Sequence, residues 1–296
     1  MLDRADCARV QNVRMATFTD SYGVRIHYSA WRVPDPVGIV QLVHGVGEHS
    51  ARYGRLVEAL NAAGYSVWAD DHRGHGRTGY EQHGGDLTRI GRLGPGGLRA
   101  AIAAVEQFTR VIREGEGPGR PLVLVGHSWG SLMAQIIVNR NAAPYEALVL
   151  TGTAHRTLRH MNSGDLNRRF RHLGTTGVEW LSRDPAVAEA FVADPLTTSK
   201  QLQRLFGLVD AARLLGLPSR DLPADLPILI MVGSDDALGA EPSARALAAS
   251  YTNRGGIMDV AVYVYDGARH EIFNELNQEE VRVDLIDWLD AHCAIA

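Results

Sequence analysis

Short apolar, β-rich runs alternate with segments of helical periodicity along this chain, and this alternation constrains the fold most. The apolar runs cover residues 38–43, 65–69, 122–125, 147–150, 228–232 and 260–265. Continuous apolar runs that alternate with helices are typical of a mostly parallel sheet with helices on both faces. Two earlier runs, 13–19 and 24–31, are joined by a DSYG turn and predict an antiparallel hairpin at the sheet's edge. The sequence therefore predicts an α/β fold.

The alternation lapses between residues 150 and 228 and then resumes, which is how an insertion into such a sheet should look. The interrupted stretch is helical in pattern, and apolar residues recur at helical spacing within 199–216. We predict a core of residues 1–154 and 224–296, with a helical cap of residues 155–223 inserted after the sixth strand. The cap is rich in arginine: Arg156, Arg159, Arg168, Arg169, Arg171 and Arg183. These arginines indicate a solvated helical face, with attraction to anionic head groups as the alternative.

Charge and cysteine content exclude several classes of function. The formal net charge is -4 and the sequence pI is about 6.3, which gives no general affinity for nucleic acid. Cys7 and Cys293 are too few for a disulfide framework or a metal site, and we expect two unpaired thiols. The sequence starts without the apolar stretch of a signal peptide, and no apolar run approaches the ~20 residues that span a bilayer. We therefore predict a cytoplasmic protein without metal or cofactor. Transient contact with a membrane surface and the oligomeric state stay open.

The strongest local motif is GHSWG at residues 126–130, directly after an apolar strand and directly before a predicted helix. This strand–turn–helix context is that of a nucleophile elbow, in which a strained turn presents a serine hydroxyl at the sheet's edge. The flanking glycines allow the strand and the helix to approach closely around the serine. The motif predicts Ser128 as a nucleophile for acyl transfer. A serine at this position disfavours the reactions that need a carboxylate nucleophile.

A serine hydroxyl needs a neighbouring base and a carboxylate that orients the base. In this architecture the nucleophile, the acid and the histidine follow one another along the chain, on loops at strand ends. His270 follows the strand at 260–265 and is the predicted base. The acid should follow the strand at 228–232, where Asp235 and Asp236 are adjacent. We predict Asp236, with Asp235 as the alternative.

The tetrahedral intermediate of acyl transfer carries a negative oxygen, which backbone N–H groups normally bind. One donor should be the residue after the nucleophile, Trp129, and the other should lie in the loop after the third strand. The turn HGVG at residues 44–47 occupies that place. We therefore predict the N–H groups of Val46 and Trp129 as the oxyanion hole.

Several motifs together resemble the monoacylglycerol lipases and bacterial lysophospholipases of the α/β-hydrolase fold. They are HGVGEHSARY at 44–53, DHRGHGRT at 71–78, GHSWGS at 126–131, GSDD at 233–236 and YDGARHE at 265–271. The resemblance implies an α/β-hydrolase fold and a cofactor-free serine hydrolase that cleaves carboxylic esters of glycerol-linked acyl chains through an acyl-enzyme intermediate. It also implies Ser128, Asp236 and His270 as the triad, and a cap that shapes an apolar tunnel. Trp129 stands where methionine is frequent in the family, and a bulky indole is expected to narrow the acyl site.

The same triad serves other reactions, and the sequence leaves these open. The alternatives are a short-chain carboxylesterase, a thioesterase, a lactonase and a prolyl aminopeptidase-like hydrolase, which the cap would distinguish. The peptidase should need an acidic site for the free amine of its substrate. A small-molecule receptor on a hydrolase fold is the alternative outside the enzymes, because fold alone does not fix function.

Overall fold

A computed structural model describes residues 13–293 of the chain, and within this range eight strands form a single sheet. The strands are β1 Val13–Thr19, β2 Arg25–Trp31, β3 Gly38–Val43, β4 Tyr65–Asp70, β5 Leu122–His127, β6 Ala147–Thr151, β7 Ile228–Gly233 and β8 Val260–Tyr265. Their order across the sheet is β1-β2-β4-β3-β5-β6-β7-β8. β1 pairs antiparallel with β2 and β2 antiparallel with β4, whereas all later pairs are parallel.

Helices cover both faces of the sheet. They are α1 Gly54–Ala62, α2 Gly76–Gln82, α3 Gly97–Glu116, α4 Trp129–Arg140, α5 Pro185–Ala193, α6 Leu202–Phe206, α7 Leu208–Arg213, α8 Ala240–Asn253 and α9 Gln278–Cys293. Apolar side chains of α3, α4 and α8 pack into one buried cluster, and those of α1 and α9 into another. The sheet lies between these two clusters, so each of its central strands is buried on both faces.

The central strand β5 shows why the apolar runs in the sequence are continuous. Successive side chains of a strand point to opposite faces. Leu122 and Leu124 accordingly join the cluster beneath α3 and α4, while Val123 and Val125 join the cluster beneath α1 and α9. The leucines and the valines are both fully buried. The strand therefore lacks the apolar–polar alternation expected of a strand with one solvent-exposed face.

The segment between β6 and β7 is helical only in part. It contains the three short helices α5, α6 and α7, and residues 155–184 form turns. The helical pattern across 199–216 is divided at Gly207, whose φ of +80° no helix accommodates. Val209, which helical spacing predicts to pack, is 66% exposed after this division, and its neighbour Leu208 is 79% exposed. We call residues 155–223, the range predicted from the sequence, the cap.

The two cysteines are far apart in the sequence. Cys293 is buried at the end of α9, and no other cysteine lies within the described residues 13–293. Cys7 lies outside the described residues.

Candidate active site

The GHSWG motif forms a sharp turn between β5 and α4. Ser128 has φ 53° and ψ −124°, a left-handed conformation that a residue with a side chain adopts only under constraint. A Cβ atom on Gly126 would lie 2.7 Å from the Ser131 Cα, and one on Gly130 would overlap the Val43 carbonyl oxygen. Strand and helix therefore pack too closely for any residue but glycine on either side of the serine.

The predicted base His270 and the predicted acid Asp236 lie next to Ser128. The His270 Nε2 atom is 2.7 Å from the Ser128 Oγ, and its Nδ1 is 2.9 and 3.0 Å from the two Asp236 carboxylate oxygens. The three side chains are buried. The alternative acid, Asp235, points away and pairs with the exposed Arg169 of the cap. The structure thus brings Asp236, and not Asp235, to the histidine.

The surroundings of His270 favour its protonated form. Burial lowers the pKa of His270, but the Asp236 carboxylate, its hydrogen bond to the ring and the nearby Glu271 and Glu48 outweigh burial and raise it above its ordinary value. The ring centroid of His127 lies 4.9 Å from that of His270. The pKa of His127 is shifted in the opposite direction. Burial and the neighbouring His270 lower the pKa of His127 to about 3. The pKa values of these two neighbouring rings are therefore shifted in opposite directions, and His270 is the one whose protonated form is favoured.

The loop after β3 is held rigidly beside the serine. The Gly45 N–H donates to the buried Glu48 Oε1 at 2.6 Å, and the Tyr53 hydroxyl donates to the same oxygen at 2.7 Å. Val46 and Trp129 line the cavity together with Ser128. Within residues 13–293, their backbone N–H groups donate to no protein acceptor. The N–H groups of the two predicted oxyanion donors are therefore free to bind an oxygen at this place.

A cavity of about 350 Å³ lies above Ser128, between the core and the cap. Its walls are mostly apolar and come from both parts of the chain: Leu132 and Leu238 from the core, and Met161, Val178, Leu181 and Leu214 from the cap. A volume of this size is within the range of small-molecule sites. The site can therefore enclose an apolar group bonded to a carbonyl at the serine.

The contacts of the Trp129 indole could not be predicted from the sequence. Its side chain is 1% exposed, and its ring stacks on His75 at 5.2 Å between centroids. On another side it meets Phe206 of the cap, with the centroids 4.9 Å apart. The indole therefore forms part of the junction between core and cap at the cavity wall.

Three residues of the site have contacts that the sequence analysis did not assign to them. Glu48 and Glu271 line the cavity beside Ser128, and Trp180 of the cap packs on the His270 ring. Glu48 lies three residues after Gly45 in a motif that was recognised, so its role in holding the turn could have been suspected. No motif surrounds Trp180, because its contact with the histidine joins segments about 90 residues apart.

A protein-family model described as Hydrolase_4, serine aminopeptidase S33, matches residues 34–277, which is most of the chain. The chain belongs to the Hydrolase_4 family. Among curated proteins, this Hydrolase_4 member is similar to a monoacylglycerol lipase of Mycolicibacterium smegmatis, with 32% identity over 93% of this chain and 96% of the relative. It is 26% identical to the monoglyceride lipase of Homo sapiens, over 88% of this chain and 85% of the relative.

Solved structures agree on the fold of this Hydrolase_4 member. A thermostable carboxyl esterase from Bacillus coagulans, in complex with glycerol, superposes with a TM-score of 0.83 at 24% identity, covering 96% of this chain and all of that chain. A soluble variant of the monoglyceride lipase of Saccharomyces cerevisiae gives 0.75 at 20% identity, covering 97% and 98% of the two chains. The predictions of an α/β-hydrolase fold, of a resemblance to monoacylglycerol lipases and of an ester-cleaving hydrolase are confirmed.

Proposed function

We propose that the protein hydrolyses carboxylic esters of glycerol-linked acyl chains, with Ser128 as nucleophile, His270 as general base and Asp236 as the carboxylate that orients it. The observation that carries the proposal is the 2.7 Å hydrogen bond between the Ser128 Oγ and the His270 Nε2 at the base of a mostly apolar cavity. A base at this distance can take the hydroxyl proton as the oxygen attacks.

In the first half of the reaction, the Ser128 Oγ attacks the ester carbonyl carbon and its proton moves to the His270 Nε2. The carbonyl oxygen becomes negative and accepts hydrogen bonds from the N–H groups of Val46 and Trp129. Asp236 accepts the Nδ1–H bond of His270 and stabilises the imidazolium. His270 then gives its proton to the glycerol oxygen, the carbon–oxygen bond breaks, and an acyl chain stays on Ser128.

In the second half, a water molecule takes the place of the departed alcohol. His270 removes a proton from this water, whose oxygen attacks the acyl carbonyl. Collapse of the second intermediate returns the proton from His270 to the Ser128 oxygen and releases the fatty acid. The same histidine thus acts as base and acid in each half, which requires that Asp236 hold one tautomer throughout.

The choice of substrate rests on the relatives and on the chemistry of the walls. The mycobacterial and human relatives are named monoacylglycerol and monoglyceride lipases, and an apolar cavity suits an acyl chain. An aminopeptidase would need a free carboxylate for the substrate's amine. Glu48 already accepts hydrogen bonds from Gly45 and Tyr53, and Glu271 pairs with Arg52 at 2.6 Å. These paired carboxylates support an ester as substrate in preference to an amine.

Labelling with a serine-directed phosphonate tests the nucleophile, and turnover of monoacylglycerols tests the substrate. We expect stoichiometric labelling that is lost in Ser128→Ala and kept in Ser199→Ala, which removes another serine that lines the cavity. Wild-type protein should cleave monoacylglycerols faster than proline arylamides. Labelling of the Ser128→Ala variant, or preference for the arylamide, would contradict the proposal.

Contact with a lipid surface is a further part of the proposed function. Leu158 and Leu208 line the cavity mouth and are 82% and 79% exposed. Arg169, Arg171 and Arg183 of the cap are paired with Asp235, Asp165 and Glu275, which leaves less charge for anionic head groups. No helix within residues 13–293 has the length and apolar character to cross a bilayer. We therefore expect apolar, not ionic, contact with the surface.

Flotation with zwitterionic and anionic vesicles distinguishes these two kinds of contact. Apolar contact predicts similar binding to both vesicles and weaker binding of the double variant Leu158→Ser, Leu208→Ser. Binding to anionic vesicles alone would assign the contact to the arginines, and no binding would remove it. The cytoplasmic location expected from the sequence stays a prediction.

A further inference from the structure

The imidazole of His270 lies close to two aromatic rings, one from the core and one from the cap. The His127 ring centroid is 4.9 Å away, and that of Trp180 is 4.6 Å away with the planes inclined by 42°. We propose that Trp180 is a positioning residue for His270, which fixes the ring plane and stabilises the imidazolium formed during the reaction. The proposal rests on the proposed function, because it takes His270 as the general base.

The backbone on either side of Trp180 is bound to the residues on either side of His270. The Arg269 Nη1 donates to two carbonyl oxygens of the segment 179–182, each at 2.8 Å. The Glu271 N–H donates to a third carbonyl of this segment at 2.7 Å. Three hydrogen bonds thus join the loop that carries the histidine to the segment that carries the tryptophan, so the two rings keep their relative position.

The segment is also fixed within the cap. The Trp180 N–H donates to the Asn167 Oδ1 at 3.0 Å, and the Asn167 Nδ2 donates to the buried Glu179 carboxylate at 2.6 Å. The other oxygen of Glu179 accepts hydrogen bonds from the Thr176 N–H at 2.6 Å and from its hydroxyl at 2.8 Å. Trp180 therefore presents its ring from a closed hydrogen-bond network, and a small side chain at this position would leave the network intact.

Trp180 covers the His270 ring with an aromatic face, which the charged groups around His270 do not provide. Asp236, Glu48 and Glu271 all attract the imidazolium, while His127 is neutral near pH 7. None of these groups packs an apolar surface over the ring from the cap side. An aromatic face within about 6 Å attracts a cation and also excludes water from it. Loss of this face should both weaken protonation of His270 and allow its ring to turn away from the Ser128 hydroxyl.

The experiment compares Trp180→Leu with Trp180→Phe. Leucine fills space without an aromatic face, whereas phenylalanine keeps the face. The matched control is Val192→Ala, which alters an exposed position of the cap on α5. Each variant is assayed with an acetyl ester, whose acyl group is too short to use the cavity, and with a long-chain monoacylglycerol. The pKa of His270 is measured from its ring signals by nuclear magnetic resonance, assigned with His270→Gln.

We expect Trp180→Leu to lower kcat about 5-fold on both esters, with an acid dissociation constant of His270 about 2- to 5-fold larger. The acid limb of the kcat/KM profile should move to lower pH by the logarithm of this increase in the dissociation constant. Trp180→Phe and Val192→Ala should stay close to wild type. A change in KM for the long ester alone, with an unmoved pH limb, would assign Trp180 to the cavity wall and overturn the proposal.

The magnetic resonance titration keeps the two proposals distinguishable. A wild-type protein that cleaves no ester would contradict the proposed function, while the titration would still report whether Trp180 stabilises the protonated ring. An unchanged pKa of His270 in Trp180→Leu would overturn the positioning role, even where the ester hydrolysis itself is confirmed.

Discussion

Asp235 and Asp236 are adjacent, yet replacing each by asparagine should have very different effects on turnover. Asp236 is fully buried and its oxygens lie 2.9 and 3.0 Å from the His270 Nδ1. Asp235 is about half exposed and pairs with Arg169, itself half exposed. The two substitutions change the same functional group at neighbouring positions, so each variant is the control for the other.

The structure indicates why an amide at position 236 should be harmful. The Leu238 N–H donates to the Asp236 Oδ1 at 2.8 Å and would hold an amide oxygen there. The amide nitrogen would then take the place of the other oxygen, 3.0 Å from the His270 Nδ1. This donor-against-donor contact favours the other tautomer of the ring. In that tautomer the Nε2 carries a proton and cannot accept one from Ser128. An amide in place of this carboxylate costs about 10⁴ in kcat in serine hydrolases, or about 5.4 kcal/mol of barrier.

For Asp235→Asn we expect kcat within about 3-fold of wild type, because an exposed ion pair contributes only about 0–1 kcal/mol. The assay is steady-state hydrolysis of a monoacylglycerol, with the rate of phosphonate labelling as a second measure and thermal unfolding to verify folding. A loss below 10-fold in Asp236→Asn, or a larger loss in Asp235→Asn, would refute the assignment of the orienting carboxylate.

Three further predictions concern the walls and the elbow. Trp129→Met should shift preference toward longer acyl chains across a series of glycerol monoesters, and an unchanged profile would exclude the indole as a limit on length. Burial lowers the folded pKa of His75 and of His127 to about 3, below the unfolded value, so stability should fall as the pH drops below about 6.5. At pH 5 each of these histidines should lower the free energy of unfolding by about 2 kcal/mol relative to pH 8. Urea unfolding measures this difference, and equal stability at the two pH values would contradict the prediction. Gly130→Ala should destabilise by at least the ~1–3 kcal/mol of overpacking, since its Cβ would meet the Val43 carbonyl, and a wild-type Tm would disprove the overlap.

The core was predictable because its signals are local. Strand β5, the turn at Ser128 and helix α4 follow one another within about twenty residues, and each has its own pattern. His270 lies 142 residues from Ser128, yet its place was predictable, because the chain order of strand ends determines which loops meet at the sheet's edge.

The cap was predictable only as an interruption of that pattern. Its apolar spacing predicted packing, but one left-handed glycine, Gly207, divides the helix, and Val209 lies exposed. The position of Trp180 depends on hydrogen bonds with Arg269 across about 90 residues, and no local pattern encodes such a pairing. Sequence periodicity predicts a helix or a strand, whereas the tertiary fold determines which group a polar side chain binds.

The cap also contacts the oxyanion loop on the other side of the proposed site. An exchange of the cap would therefore affect catalysis as well as substrate binding. The Thr198 N–H donates to the Gly47 carbonyl at 2.8 Å, one residue after Val46. Gly47 has a φ of +77°, and a Cβ there would overlap the Thr198 carbonyl oxygen, so only glycine allows this approach. Cap segments thus contact both the oxyanion loop and the histidine loop. Exchanging the cap for that of a relative should therefore change kcat even for an acetyl ester, because the loops that bind the transition state would lose their supports.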